Sequence, residues 1–271
     1  MKKICVITGG GSGMGFAAAK IIGKEHKVIL TGRTVKKLDS AIDELKSLGI
    51  EAVAFACDVS NRESVKDLVA FATEQGVVKS VIHSAGISTT MGSASQIFSI
   101  NAIGTINVNE EFGKVMGEGS SIINVSSMAA YLMPADRMPV NEYPLSLSDA
   151  EGFNQRMLGI FSSLPAESAG GASYCISKNF VVWYSVQSAC LLGAKGIRVL
   201  SVSPGTFKTP MGEAEGENAI ATALRGVLSR VGEVDEVAKL LAFVASDVGS
   251  YMTGTDILCD GGVIAAMRKV Q

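Results

Sequence analysis

Tyr174 and Lys178 stand four residues apart in the stretch Tyr174-Cys175-Ile176-Ser177-Lys178, which opens an apolar run. On a helix that spacing puts a phenol and an ammonium on one face, one turn apart. A tyrosine titrates near 10 in water, so it exchanges protons poorly at neutral pH unless a fixed positive charge favours its phenolate. Lys178 is placed to supply that charge, which makes the pair a candidate acid/base unit. The same spacing also suits a plain solvated helix face, so its meaning rests on the motifs around it.

A pair of this kind needs elements that hold it. Apolar runs of strand length occur at 4–8, 27–31, 51–56, 80–83, 121–125, 197–202 and 256–259. They are rich in Val and Ile without strict alternation, the pattern of strands buried on both faces of a parallel sheet. Helical stretches lie between them near 14–23, 35–48, 61–75, 94–117, 174–193 and 233–246, each long enough for a right-handed crossover. The expected fold is α/β: a Rossmann-type, doubly wound, parallel sheet of seven strands with helices on both faces. With 271 residues, 47% of them hydrophobic, and no stretch that reads as a linker, a single domain spanning 1–271 is expected.

Composition excludes several other classes. A formal net charge of -2, with Lys and Arg spread along the chain, offers no basic patch for nucleic acid or an anionic membrane. Cys5, Cys57, Cys175, Cys190 and Cys259 are scattered, without a C-x-x-C pair or clustered His. They read as small core residues in a reducing compartment, with no metal site and no disulfide framework. The opening Met1-Lys2-Lys3 precedes too few apolar residues for a signal peptide, and no run reaches membrane-spanning length. A cytoplasmic location is the expectation.

The first strand runs into Thr8-Gly9-Gly10-Gly11-Ser12-Gly13-Met14-Gly15, followed at once by a helix-forming stretch. Glycines there let the backbone turn sharply and approach a pyrophosphate, while the helix start presents unpaired N–H groups and partial positive charge. Between a first strand and a first helix, this loop reads as a nucleotide site.

The pattern T-G-x-x-x-G-x-G at residues 8–15 together with Y-x-x-x-K at 174–178 resembles the short-chain dehydrogenase/reductase family. Further motifs fall in the family's order: Cys57-Asp58-Val59, Asn101, Asn124-Val125-Ser126-Ser127, Ser203-Pro204-Gly205 with Thr209, and Asp260-Gly261-Gly262. The resemblance covers nearly the whole chain. It implies an oxidoreductase that moves a hydride between a nicotinamide and a carbonyl or carbinol carbon, with a proton passing at the oxygen. Tyr174 would be the acid/base. Lys178 would lower its pKa and hold the nicotinamide ribose, Ser127 would donate to the substrate oxygen, and Asn101 would hold a water beside Lys178. Ser126 is the rival to Ser127. For the nucleotide, the resemblance implies contacts from Gly9, Gly11, Ser12, Gly13, Met14, Gly15, Asp58, Val59, Ala85, Gly86, Pro204, Gly205 and Thr209, besides Tyr174 and Lys178.

The end of the second strand reads Thr31-Gly32-Arg33-Thr34 and carries no acid for a ribose 2′-hydroxyl. Arg33 offers a planar fork suited to a 2′-phosphate, with Thr31 or Thr34 adding a hydroxyl, unless it is a solvated loop residue. NADP(H) is therefore preferred over NAD(H), although Ser12 stands where many NADP-using relatives carry a base.

Two departures from the family stand out. His83-Ser84-Ala85-Gly86 replaces the usual Asn-Asn-Ala-Gly; His83 is read as hydrogen-bonded in the core rather than as a base. Tyr174 also lies 47 positions after Ser127, because of an insertion at 131–171 with a helix expected over 148–164. Phe153, Met157, Leu158, Ile160 and Phe161 approximate one apolar face of that helix. The insertion could be a lid wall of an apolar pocket, an interface element, or a plug over the surface that relatives use to form tetramers. The resemblance is to the subset with such insertions, carbonyl reductases and a bacterial 3α-hydroxysteroid dehydrogenase, and implies a monomer or atypical homodimer rather than a tetramer. The segment 204–230 is expected to be a second substrate wall, irregular and mobile around Gly212 and Gly216.

The expected activity is interconversion of a secondary alcohol and a ketone or aldehyde on an apolar small molecule, such as a steroid or alicyclic ketone. The alternative is a catalytically silent NAD(P)-sensing regulator. Such a protein would be expected to have lost Tyr174, Lys178 or Ser127, and all three are present.

Overall fold

The computed structural model describes residues 2–269; Met1, Val270 and Gln271, the ends of the expected domain, lie outside the described residues. Seven strands form one sheet in the order β3-β2-β1-β4-β5-β6-β7. They are β1 (Lys3–Thr8), β2 (Lys27–Gly32), β3 (Ala52–Ala56), β4 (Val77–His83), β5 (Ser120–Val125), β6 (Ile197–Pro204) and β7 (Asp256–Cys259). Every pairing is parallel. The order reverses between β1 and β4, and in open parallel sheets the crevice beyond the carboxyl ends at such a point is where ligands bind.

Helices cover both faces. One face packs α1 (Gly13–Ile22), α2 (Val35–Ser47) and α9 (Val234–Ala245) on β1, β2, β4, β5 and β6 through Ala18, Leu38, Leu45, Val237 and Leu241, all buried. The other packs α3 (Arg62–Gln75), α5 (Gly104–Val115) and α7 (Ala166–Leu192) through Val65, Leu68, Phe112 and Ala189. Removing this apolar surface from water is the main force holding the layers together. The central strands are nearly continuous apolar runs because both their faces are covered.

The middle helix is not continuous as expected. It comprises α4 (Ala94–Phe98), one π turn at Ser99–Ile103 and α5, and Asn101 sits in the π turn. Such a turn holds one residue more than the α-helical repeat allows, which re-aims a side chain. Asn124 of β5 is fully buried and donates to Asn109 Oδ1 (3.1 Å) and Ser185 Oγ (2.9 Å), so it fixes α5 and α7 against the sheet.

The insertion folds as short 3₁₀ segments at Ala135–Arg137 and Val140–Leu147 and as α6 (Ala150–Ser162), after which residues 166–171 already belong to α7. Asp149 caps α6 by accepting from Gly152 N at 2.8 Å. Phe153, Met157 and Phe161 are buried in a third cluster with Phe98, Tyr143 and Phe180. Phe153 lies 4.8 Å from Phe180 and 5.5 Å from Phe98, ring centre to ring centre. The insertion thus seals the outer face of α4, the π turn and α7. Asn179 joins it to the chain beyond β5: its Oδ1 accepts from the Tyr143 hydroxyl (3.1 Å), and its Nδ2 donates to Ala130 O (3.0 Å).

The segment 204–230 also differs from expectation. Instead of an irregular loop it contains α8 (Pro210–Leu224), broken at Gly216 where φ is 67°. Thr209 caps this helix by accepting from Gly212 N at 3.1 Å, and Pro210 supplies its first turn. Cys190 is exposed rather than in the core. Among the described residues no helix is long and apolar enough to cross a membrane.

Candidate active site

The glycine loop lies at the carboxyl end of β1, and its shape is dictated by its neighbours. A Cβ on Gly9, whose φ is 66°, would lie 2.8 Å from Ser84 O and 2.9 Å from Ala85 Cα; one on Gly15 would collide with Ser84 Oγ. Only glycine lets the loop, the chain after β4 and the start of α1 come so close. His83 and Ser84 complete the clamp. His83 Nδ1 is 2.8 Å from Thr8 Oγ1, and Ser84 Oγ donates to Thr8 O at 2.6 Å. Burial, helped by the Lys178 charge, holds His83 down to about 3, so it is a neutral core residue.

Two adjoining cavities open along the carboxyl ends of the strands. The smaller, about 160 Å³, is lined by Gly9, Gly11, Ser12, Arg33, Thr34, Asp58, Val59 and Ala85, and also by Lys37. Asp58 Oδ1 accepts from Ser60 N (3.0 Å) and Ser60 Oγ (2.6 Å), which fixes the turn after β3. The larger, about 430 Å³, is lined by Met14, Ser126, Ser127, Tyr174, Lys178, Pro204, Gly205 and Thr209, among others. Gly86 lines both. Gly13, Gly15 and Asn101 line neither. Gly13 faces the Thr209 side chain, Gly15 packs against Ser84, and Asn101 lies behind Gly86. Apart from those three, these cavities bring together the nucleotide and catalytic candidates read from the sequence.

Tyr174 and Lys178 share a face of α7, and Lys178 Nζ lies 5.9 Å from the Tyr174 ring centre. Lys178 is buried and donates to Val125 O at 3.0 Å. Burial lowers it from 10.5 to about 8, and the Glu215 carboxylate pulls the other way. The Tyr174 phenol is pushed up to about 12, by burial first, with the Ser127 hydroxyl acting to lower it. The expected depression of Tyr174 by Lys178 is thus not what dominates here; desolvation of the phenolate does. Asn101 is held in both directions by Ile87: its Oδ1 accepts from Ile87 N (2.9 Å) and its Nδ2 donates to Ile87 O (3.0 Å). A Cβ on Gly86 would sit 3.1 Å from Asn101 Oδ1 and 3.3 Å from Lys178 Nζ, so the two groups converge behind that glycine.

The two serines divide. Ser126 is buried and donates to Lys178 O at 2.7 Å, tying β5 to α7. Ser127 is half-buried; its Oγ accepts from Ala129 N at 3.1 Å and faces the cavity with Tyr174. From the insertion only Leu132 and Gly171 reach the larger cavity, so the Phe- and Met-bearing face of α6 is core and not a substrate wall. The apolar wall comes instead from Met14, Ile87, Met128, Leu132, Phe207 and Met211. Sequence reasoning missed Lys37, and it expected the wall at 204–230 without the helix α8 that forms it. Lys37 follows the β2 turn by one helical turn, a spacing visible in the sequence; Glu215 gave no signal, because α8 itself was not expected.

Residues 3–140 match the profile of the family described as short chain dehydrogenase, and residues 158–264 match one described as enoyl-(acyl carrier protein) reductase. The short-chain dehydrogenase/reductase bsc3 of Alternaria brassicicola is 30% identical, over 99% of this chain and 98% of its own. The 3-oxoacyl-[acyl-carrier-protein] reductase FabG of Thermotoga maritima is 28% identical, over 97% and 98%. Among solved structures, a short chain dehydrogenase from Burkholderia cenocepacia in complex with NADP superposes with a TM-score of 0.77 at 25% identity, covering 96% of this chain and 97% of that one. A glycine cradle at the switch point beside a Tyr/Lys pair, in a chain matched end to end by such relatives, places this protein in the short-chain dehydrogenase/reductase family of NAD(P)-dependent oxidoreductases.

Proposed function

We propose that this protein is an NADP(H)-preferring oxidoreductase that interconverts a ketone and a secondary alcohol, with Tyr174 as the proton-transferring residue. The observation that carries this reading is the shared wall of the larger cavity, where Ser127, Tyr174 and Lys178 meet next to the glycine cradle. The nucleotide, when bound, supplies or accepts the hydride. With its pKa raised, Tyr174 stays a neutral phenol at pH 7, the form that donates a proton to a carbonyl oxygen. Ser127 donates to the same oxygen and stabilises the charge that develops on it. Lys178, lowered to about 8, is near enough to neutrality to return a proton to Tyr174. Asn101 lies with Lys178 behind Gly86, where it would hold the water that completes that relay.

The preference for NADP(H) is supported by Arg33 and Lys37 together on the smaller cavity, where the one carboxylate, Asp58, is engaged with Ser60. A guanidinium fork and an ammonium suit a 2′-phosphate. Titration of wild type, Arg33→Ala and Lys37→Ala with NADPH and NADH tests it. Each substitution should cost about 1.5–3 kcal/mol for NADPH and little for NADH. Equal losses for both nucleotides, or tighter NADH binding by wild type, would sink the preference.

The apolar wall favours an alicyclic ketone, with a steroid at the large end of that class. The insertion lies over α4 and α7, which supports a monomer or atypical dimer rather than a tetramer. Light scattering on the eluted protein checks this, and a mass of four chains would overturn it.

A further inference from the structure

Among the described residues the larger cavity has one acidic side chain on its wall, and neither proton transfer nor nucleotide binding uses it. Met211, Gly212, Glu215, Asn218, Ala219 and Thr222 of α8 line this cavity. Three of these precede the break at Gly216 and three follow it, so both halves of α8 contribute to one stripe facing the space where a substrate must lie. Glu215 is half-buried on that stripe and immediately precedes the break at Gly216. Lys178 is the other charged residue on the wall, and its ammonium is already engaged with Val125 O. The Glu215 charge is felt at both Tyr174 and Lys178, so it acts inside the reaction space and not on the outer surface.

A carboxylate in such a place has a definite chemical consequence. Partly stripped of water, it gains from any donor a ligand brings, most of all a cation, and it repels an anion more strongly than a solvated carboxylate would. The remaining polar groups of the stripe, Asn218 and Thr222, are neutral and do not offset it. Burial raises the Glu215 carboxyl above the usual carboxylate range, while the Ser88 hydroxyl and the Lys178 ammonium act to lower it.

We propose that Glu215 is a specificity-determining residue that selects carbonyl substrates bearing a hydrogen-bond donor, an ammonium or a hydroxyl, remote from the reacting carbon, and rejects those bearing a carboxylate there. The inference rests on the ketone reading above for its substrate class, but its test does not require turnover. Cyclohexylammonium, 1,4-cyclohexanediol and cyclohexanecarboxylate are titrated calorimetrically into the NADPH-loaded protein at pH 7.5. Wild type binds the cation at least about tenfold more tightly than the anion. Glu215→Gln removes that ratio while leaving the diol within about threefold, because the amide oxygen still accepts a hydroxyl donor. Glu215→Lys reverses the preference.

A ratio that is the same in wild type and Glu215→Gln, or a wild type that binds the anion as well as the cation, overturns the proposal. If instead the ammonium and the diol both lose affinity in Glu215→Gln, the donor selection stands and charge is not its sole source. NADPH oxidation with N-methyl-4-piperidone, 4-hydroxycyclohexanone and 4-oxocyclohexanecarboxylate runs beside the titrations. Charge-selective binding without turnover of any ketone would count against the ketone reading and leave the assignment of Glu215 in place.

Discussion

Phe153→Ala separates the two roles that an apolar insertion beside an active site can have. Phe153 is fully buried and touches Phe98, Tyr143 and Phe180 through ring contacts at 5.5, 6.3 and 4.8 Å between centres. Truncating such a side chain loses its transfer energy, leaves a cavity and removes aromatic pair contacts, about 3–5 kcal/mol in all. Unfolding entropy is about 2.1 cal/mol/K per residue, or about 0.57 kcal/mol/K over 271 residues. A loss near 4 kcal/mol therefore lowers Tm by about 7 °C. Since α6 reaches the larger cavity with none of its side chains, kcat and KM for a ketone at 25 °C should stay within about twofold of wild type. Differential scanning fluorimetry and initial rates with NADPH measure both. A KM raised several-fold with Tm unchanged would refute the reasoning, because Phe153 would then be a substrate wall and not a core residue.

Other expectations follow from the same geometry. Lys178 is held near 8 in the folded chain against 10.5 in water, so between those values the unfolded chain carries a proton that the folded one does not. Stability then rises with pH across that window, and the full penalty persists below it. The unfolding free energy of wild type relative to Lys178→Met should grow by about 2–3 kcal/mol from pH 7 to pH 10, and a flat difference would mean that the ammonium is solvated. Ser127→Ala should lower kcat about 10²–10³-fold and lose about 0.5–1 kcal/mol of stability with its bond to Ala129 N, whereas Ser126→Ala should affect kcat far less and cost about 1–2 kcal/mol by freeing Lys178 O. Paired rate and melting measurements check both serines, and the opposite pattern would exchange their roles.

What the sequence carried, and what it did not, depends on the range of the interaction concerned. The strands and most of the helices are written in local pattern, because burying both faces of a parallel sheet demands continuous apolar runs. The candidates Tyr174, Lys178, Ser127 and the glycine loop stand out in the sequence too, since the chemistry proposed for them requires fixed residue types at fixed spacing. Lys37 needed one more step, the knowledge that the helix expected from residue 35 turns its first residues toward Gly11. The helix α8 was hidden by Gly212 and Gly216, whose type lowers helix propensity, although Thr209-Pro210 is a sound start signal. For α6 the periodicity of Phe153, Met157 and Phe161 gave the buried face but not the surface it covers, which is a matter of tertiary contact. The π turn at Asn101 leaves no local mark at all.

Asn179 follows Lys178 directly and spans from the Tyr143 hydroxyl of the insertion to Ala130 O, three residues beyond Ser127. Breaking either bond leaves an Asn179 group without its partner, so opening of the insertion should be coupled to opening of the strand end. Backbone amides of α6 and of the turn at Met128–Tyr131 then exchange with solvent as one cooperative unit, although they are far apart in sequence. The extra segment is therefore expected to influence how long Ser127 and Lys178 stay aligned between openings. A shortened version of it would report on the lifetime of the site more than on the shape of its pocket.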